Sequence, residues 1–515
     1  MGLLAQRAYL QASVANLATD LARYGTAAQW RGIYYRGEKV GFTVGQTVPT
    51  DDGFELQEDG RLQMSLLGAT TPAVIKTTAR VDRAFALRSF DFSLDPGTGP
   101  LKLSGTVDGL TLTIRITSAG STRTEVRTLE EPPALMLNLA RRLASGGLTA
   151  GARHELMVFD PATLSNAPVV IDVSGREVVI AGGRPIPAFK VQLGFSGLTT
   201  TAWITDTGEI VREESPLGLM SVRETPEQAQ ALAVSSRVRS DMLQAAAIVP
   251  TLRKAVTEPT DVTRLKVEFN GVDMAAFNLA SSTQTFDGRV LDVRDPRGLV
   301  AGPVDPDLAR YLGPETFLES DDPEVIAEAG RIVTGVVGTR ARAERLVRGV
   351  NSLLDKKPTI SVPSAKEVLR TKVGDCNEHT ALYVAMARAI GIPARINVGL
   401  VMVRGAFYYH AWPEVWIDES PSRGYWLPVD PTFNQFPADA THLRLLQGGL
   451  DKQTAILPLI GRLKLTVLDA EMAPNTSPLT VGRELADAAD ARPLSLALPT
   501  RQACGCWALP CRGNP

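Results

Sequence analysis

Over residues 29–222, apolar and polar positions alternate in short runs broken by turn signals, a pattern of period two that predicts strands. Residues 30–44, 101–117, 169–180 and 200–212 are rich in Val, Ile, Thr, Leu and aromatics. Asp51-Asp52-Gly53, Asp108-Gly109 and Thr207-Gly208 punctuate them. Asp108-Gly109 sits inside an alternating run and predicts a tight hairpin, because its dihedrals suit a two-residue turn. A single helical stretch, about 132–145, interrupts the strands. The expectation is one large antiparallel sheet or an open barrel.

Helical spacing dominates elsewhere. At the start Leu10, Val14, Leu17 and Leu21 form the apolar stripe of an amphipathic helix. Thr225-Pro226-Glu227-Gln228 carries the signals of a helix start, with the helix running to about residue 247. A further β segment over 264–294 follows, then a stretch rich in Pro, Gly and Asp that reads as a linker. Asp322 caps a helix at Pro323, with Val325, Ala329, Ile332 and Val333 as its buried stripe. Leu346, Val350, Leu353 and Leu354 mark a second helix, and Ser364 opens a third. A fourth spans 377–390, with Leu382, Ala385, Met386 and Ala389 on one face, Gly391 closing it and Pro393 blocking its continuation. Two strands, 395–403 and 408–417, follow around a turn at Gly405. The expected divisions are 1–28, 29–222, 223–321, 322–480 and a disordered tail over 481–515. The predicted class is α+β, a large antiparallel β domain followed by a mixed domain.

Charge then removes several functions. The chain of 515 residues has 54 basic and 56 acidic side chains, so no cationic footprint for nucleic acid is expected. No run of about 18 apolar residues predicts a membrane-spanning helix. The N-terminal stretch lacks the apolar centre and small-residue cleavage site of a secretory signal, which leaves open a cytoplasmic protein or one preceded by a targeting segment. Cys504, Cys506 and Cys511 crowd the tail, but three thiols do not complete a common zinc set. With no other ligand cluster and no EF-hand loop, neither metal nor cofactor is expected.

The chemistry is concentrated in three short stretches. Gly374-Asp375-Cys376-Asn377-Glu378-His379-Thr380 places a thiol at the predicted start of a helix, where the dipole and unpaired amides favour a thiolate and can bind an oxyanion. The polar neighbours argue against an inert buried cysteine. Tyr409-His410-Ala411-Trp412-Pro413-Glu414-Val415-Trp416 places one of only four histidines in an aromatic strand, with His410, Trp412, Glu414 and Trp416 on one face. His379, three residues along the helix from Cys376, points away from the thiol's front, so His410 is the expected base. Trp426-Leu427-Pro428-Val429-Asp430-Pro431-Thr432 supplies Asp430, which by itself is a turn residue but beside His410 can orient the imidazole. Tyr409, Trp412 and Trp416 are candidates to wall a substrate site, with core packing as their alternative role.

Together these stretches resemble the transglutaminase-like superfamily of papain-like thiol enzymes, over about residues 322–467. The resemblance implies a papain-like transglutaminase core with Cys376 as nucleophile, His410 as general base and acid, and Asp430 as orienter. The form Gly-Asp-Cys-Asn-Glu-His-Thr is more similar to the bacterial and archaeal branch than to the calcium-dependent crosslinking enzymes of animals. The implied activity is attack on an amide carbonyl of a protein or peptide, through a thioester on Cys376. Release to water is favoured over release to an amine, because no amine site is legible. The competing class is a catalytically silent binding or assembly protein that works through its β region.

Overall fold

The computed structural model describes residues 24–473, apart from 26, 67–68, 98–99, 119, 196, 232–245 and 359–363. The N-terminal amphipathic stretch, the latter part of the helix expected from Thr225 and the cysteine-bearing tail lie outside the described residues.

The alternating region forms one antiparallel sheet of fourteen strands between Gln29 and Glu224. Its strands are almost wholly meandering. The first eight run outward in sequence order from Gln29–Tyr35, and the last six return to lay Leu219–Glu224 against that same first strand. The Asp108-Gly109 hairpin forms as predicted, with Asp108 opposite Thr111 and Gly109 at φ 58°. Helix Met136–Ser145 connects the two edge strands, and Leu135 and Phe159 share a core with Leu112 and Ile114. Strands near the two ends of the sheet therefore share one core with the connecting segment.

Thr225 caps Pro226–Gln230 as the sequence predicts: Gln228 N–H donates to its hydroxyl at 3.2 Å, and Gln228 Oε1 accepts from Thr225 N–H at 3.2 Å. The stretch read as a linker is tied down. Phe317 and Leu318 are buried, Ala365 N–H donates to Phe317 O at 2.9 Å, and Thr316 donates to Glu125 of the large sheet. Arg388 Nη1 donates to Gly313 O and to Glu315 Oε1, both at 2.8 Å. The segment 313–318 thus joins the large sheet to the helices that follow.

The C-terminal region stacks three layers. Helices Pro323–Ile332, Thr339–Leu353, Ala365–Thr371 and Cys376–Ala389 form one. A five-stranded sheet containing Ala394–Val403, Ala406–Ser420, Arg423–Pro428 and Leu443–Gln447 is the second. Another five-stranded sheet, built on Val262–Asn270, Val290–Arg294 and Lys464–Met472, is the third. One core fills the space between helices and middle sheet, and a second fills the space between the sheets. Helix Cys376–Ala389 differs from the one-faced helix expected. It is buried on nearly every side from Glu378 to Arg388, because the other three helices and the middle sheet surround it. Each large apolar side chain so enclosed, such as Leu382 or Met386, contributes about 1.5–3 kcal/mol of transfer free energy. The thiol is mounted on the best-supported helix of the region.

Candidate active site

Local sequence explains why Cys376 sits where it does. Helix Ala365–Thr371 ends at Lys372 in the left-handed conformation (φ 54°), and residues 373–374 then pair in parallel with 355–356. Gly374 lies against Glu378, where an added Cβ would overlap that side chain. Asp375 caps the next helix, its Oδ1 accepting from Asn377 N–H at 3.1 Å, while Glu378 Oε2 accepts from Asp375 N–H at 2.9 Å. Gly374, Asp375 and Glu378 therefore build the reciprocal cap that begins the helix at Cys376. Cys376 is 9% exposed and in no disulfide. Its place in the first turn puts the thiol in the field of the helix N-terminus.

His410 lies in strand Ala406–Ser420, opposite Gly399. Thr380, one turn along the helix from Cys376, donates its hydroxyl to Ala411 O at 3.0 Å. That bond holds the first turns of the Cys376 helix against the strand at the position next to His410. His410 Nε2 lies 2.7 Å from Asp430 Oδ2, with both side chains wholly buried, and Nδ1 has no hydrogen-bond partner. Asp430 owes its pose to the turn that the sequence suggested as its alternative role. Its Oδ1 accepts from Thr432 N–H at 2.7 Å and Phe433 N–H at 3.0 Å, which leaves Oδ2 for the imidazole. The turn and the contact to His410 are the same structure.

Sequence reasoning missed His442. Its Nε2 lies 3.0 Å from Asp430 Oδ2, and its Nδ1 lies 3.2 Å from Asp439 Oδ1. The available signal was the scarcity of histidine and the Asp439-Ala440-Thr441-His442 run just before strand Leu443–Gln447. Both ring nitrogens of His442 face carboxylates, so both must donate. Burial alone would push this imidazole down, but the charge of Asp439 and the bonds to Asp430 and Asp439 push it up to about 10. Burial alone would push the Asp430 carboxyl up, yet the facing His410 and His442 rings hold it well below the usual carboxylate range. Asp439 is likewise held low, by His442 and by the Thr441 hydroxyl and amide, against its burial. An ionised Asp430 keeps the His410 proton on Nε2, and Nδ1 then carries the lone pair.

The remaining candidates are placed differently. His379 Nδ1 donates to Asp375 O at 2.6 Å, its Nε2 has no partner, and burial pushes its pKa down. Trp412 is 1% exposed, near-parallel to His410 at 6.0 Å and edge-on to His442 at 5.1 Å. It walls the histidines from within and offers no open surface. Trp416 is buried edge-on to Trp426 at 5.7 Å. Tyr409 points from the opposite strand face into the core between the sheets, and burial pushes its phenol up. The structure thus pairs His410 with Asp430, adds His442 to the same carboxylate, sets the Cys376 helix against the His410 strand through Thr380, and keeps Trp416 in a packing role.

His410, Asp430 and His442 offer ligand atoms within 4.8 Å of one another, close enough to hold a metal ion. The facing nitrogens, however, share one oxygen at 2.7 and 3.0 Å, distances that fit a proton on each nitrogen. A metal would require both to be deprotonated.

Residues 329–431 match the transglutaminase-like superfamily, the stretch that carries all three motif residues. The resemblance expected from the motifs holds for this segment, which is a transglutaminase-like domain. No curated protein matches the chain. Among solved structures, a candidate cysteine protease from Cytophaga hutchinsonii is 15% identical, covers 41% of this chain and 90% of its own, and has a TM-score of 0.29. A β-barrel-like protein of the DUF1849 domain from Brucella abortus is 10% identical, covers 38% and 95%, and has a TM-score of 0.30. A DUF1089 family protein from Pseudomonas aeruginosa is 14% identical, covers 34% and 89%, and has a TM-score of 0.22. At these scores the likenesses establish neither fold nor function.

Proposed function

We propose that the transglutaminase-like domain is a papain-like cysteine catalyst that opens an amide bond through a thioester on Cys376. The observation that carries this reading is the His410–Asp430 pair at 2.7 Å with His410 Nδ1 left without a bond. An imidazole held in that tautomer by a buried carboxylate can take a proton at Nδ1 and keep the resulting charge paired.

The Cys376 proton passes to His410 Nδ1, and the thiolate adds to the carboxamide carbon of the substrate. Amides of the first helical turn bind the oxyanion. The tetrahedral adduct expels its nitrogen, which leaves as an amine with the proton from Nδ1. Water, activated by the same nitrogen, then adds to the thioester. A carboxylic acid departs and the thiol re-forms. An amine in place of water would give a new amide by the same steps. Release to water is the favoured branch, since no separate amine site is evident among the described residues.

The substrate is a protein or peptide in this reading, and a cavity of about 360 Å³ lies beside the Cys376 helix. Its walls include Asn377 and Thr380 of the Cys376 helix, Phe317 and Leu318 of the tied-down segment, and Arg123 and Arg127 of the large sheet. The large sheet therefore borders the approach to the catalytic helix, which gives it a role in selecting the chain that is cut.

The test is mass spectrometry of a cell lysate incubated with the protein and with Cys376→Ala. New peptide termini or deamidated side chains that need Cys376 support hydrolysis, and new isopeptide crosslinks support amine transfer. The same covalent changes with both proteins, or none with either, would leave only a binding protein.

A further inference from the structure

The mechanism above leaves the buried His442 imidazole unused, and its surroundings are complete enough to assign it a task. Resting on the proposed thiol chemistry, we infer that His442 is a positioning residue. Clamped between Asp430 and Asp439, it fixes the Asp430 carboxylate and takes up part of its charge, and so limits how strongly Asp430 holds a protonated His410.

The geometry carries this in three steps. First, His442 Nε2 and His410 Nε2 approach the same oxygen, Asp430 Oδ2, at 3.0 and 2.7 Å, while Oδ1 is committed to the Thr432 and Phe433 amides. The two imidazoles therefore compete for one charge. Second, Asp439 meets the far nitrogen of His442 at 3.2 Å and is itself braced, its Oδ1 accepting from Thr441 N–H at 2.8 Å and its Oδ2 from Gln435 Nε2 at 2.8 Å. Third, the other charged groups nearby are already engaged. Glu414 pairs with Arg395 at 2.8 Å, Arg444 donates to backbone carbonyls of Asn278 and Ala280, and Glu378 belongs to the helix cap. Arg294 shares the lining of a small cavity with His442 and Gln284, and burial pushes the His379 pKa down. The buried groups thus form one line, His410, Asp430, His442, Asp439, in which each faces the next.

This arrangement has a signature that mere packing lacks, because the two outer members act with opposite sign. Removing the His442 cation leaves Asp430 unshared, so a protonated His410 persists to higher pH. Removing the Asp439 anion strengthens the His442 claim on Asp430, so protonated His410 is lost at lower pH.

The experiment is alkylation of Cys376 by iodoacetate in the full-length protein, followed by peptide mass spectrometry from about pH 4 to about pH 10. The reagent's carboxylate is drawn by an imidazolium beside the thiolate, so its rate is bell-shaped wherever that ion pair exists. In His442→Gln the alkaline limb should move up by about one pH unit, and in Asp439→Asn it should move down by a comparable amount. Unmoved limbs with only a lower maximum, or shifts of the same sign, would overturn the inference. If His442→Gln does not fold, Asp439→Asn decides alone: a downward shift supports the assignment and an unmoved limb refutes it. One equivalent of bound transition metal in the purified protein would also refute it, since His442 would then be a ligand. Failure of the underlying thiol reading is distinct: the wild-type profile would lack the bell and rise only near about pH 8.5, as an ordinary thiol does.

Discussion

Asp430→Asn probes the site with the smallest change of shape. In the native protein the carboxylate accepts from four donors: the amides of Thr432 and Phe433 on one oxygen, and the rings of His410 and His442 on the other. An asparagine has one acceptor oxygen for these two opposite demands. With the oxygen kept on the two amides, its NH2 faces both imidazoles. His410 must then accept at Nε2, which moves its proton to Nδ1 and removes the base. His442 loses one of the two carboxylates that hold its charge. Breaking a buried ionic contact in this way costs on the order of 3–5 kcal/mol of stability. Turnover should fall about 10³–10⁴-fold, the loss that a wrong imidazole tautomer produces in other triads. The thiol reports the change directly. At about pH 5 a cysteine of ordinary pKa is thiolate in only about three molecules in ten thousand, so alkylation of Cys376 there should slow by roughly 10²–10³-fold. Circular dichroism establishes folding, and mass spectrometry reads the Cys376 peptide apart from the tail cysteines. A folded Asp430→Asn protein whose Cys376 still reacts at about pH 5 within tenfold of wild type would refute the role given to Asp430.

Four further outcomes are expected. His410→Ala should abolish low-pH alkylation of Cys376, whereas His379→Gln should retain it and lower only the melting temperature; equal losses in two folded proteins would dismiss His410 as sole base. Gly374→Ala places a Cβ against Glu378 and should loosen the cap beneath Cys376, lowering stability by about 1–3 kcal/mol by thermal unfolding. His442, pushed up to about 10 from an ordinary value near about 6.5, contributes stability that is full below the lower value and lost as pH rises through the higher one. Melting temperature should therefore fall between about pH 6.5 and about pH 10 and level off above it, and His442→Gln should erase that decline; an unchanged decline would exclude His442 as its source. Finally, EDTA should leave Cys376 alkylation unchanged and calcium should not stimulate it, while a calcium requirement would reopen the animal-type crosslinking model.

Legibility followed the range of the interactions. Hairpins and caps are local, so Asp108-Gly109, Thr225 and Asp322 announced their structures within a few residues. The three candidate residues were legible because each carries its own neighbourhood: a glycine and cap before Cys376, an aromatic strand around His410, a proline turn after Asp430. The rest depended on what lies opposite. The helix after Cys376 has apolar residues that suggest one buried face, and only the surrounding helices and sheet show it to be buried on nearly every side. Trp412, Trp416 and Tyr409 form an aromatic cluster in sequence, but burial, not composition, decides that neither tryptophan offers an open wall. His442 was hidden for the same reason. Its meaning comes from Asp430 and Asp439, and a lone histidine before a strand says nothing of two carboxylates closing on it from either side.

The choice between His379 and His410 rests finally on what each ring would become after accepting a proton. Both are buried, and both have one nitrogen without a hydrogen bond. His379 spends its other nitrogen on the neutral Asp375 carbonyl, so a second proton would create a buried cation facing only a dipole, which burial strongly disfavours. His410 spends its other nitrogen on a carboxylate that is ionised and fixed by two amides, so the same proton creates an ion pair already in place. A buried ionic network seldom adds net stability over apolar packing of equal volume. In the proposed chemistry the value of this one lies in giving His410 Nδ1 a carboxylate partner already fixed on the far side of the ring.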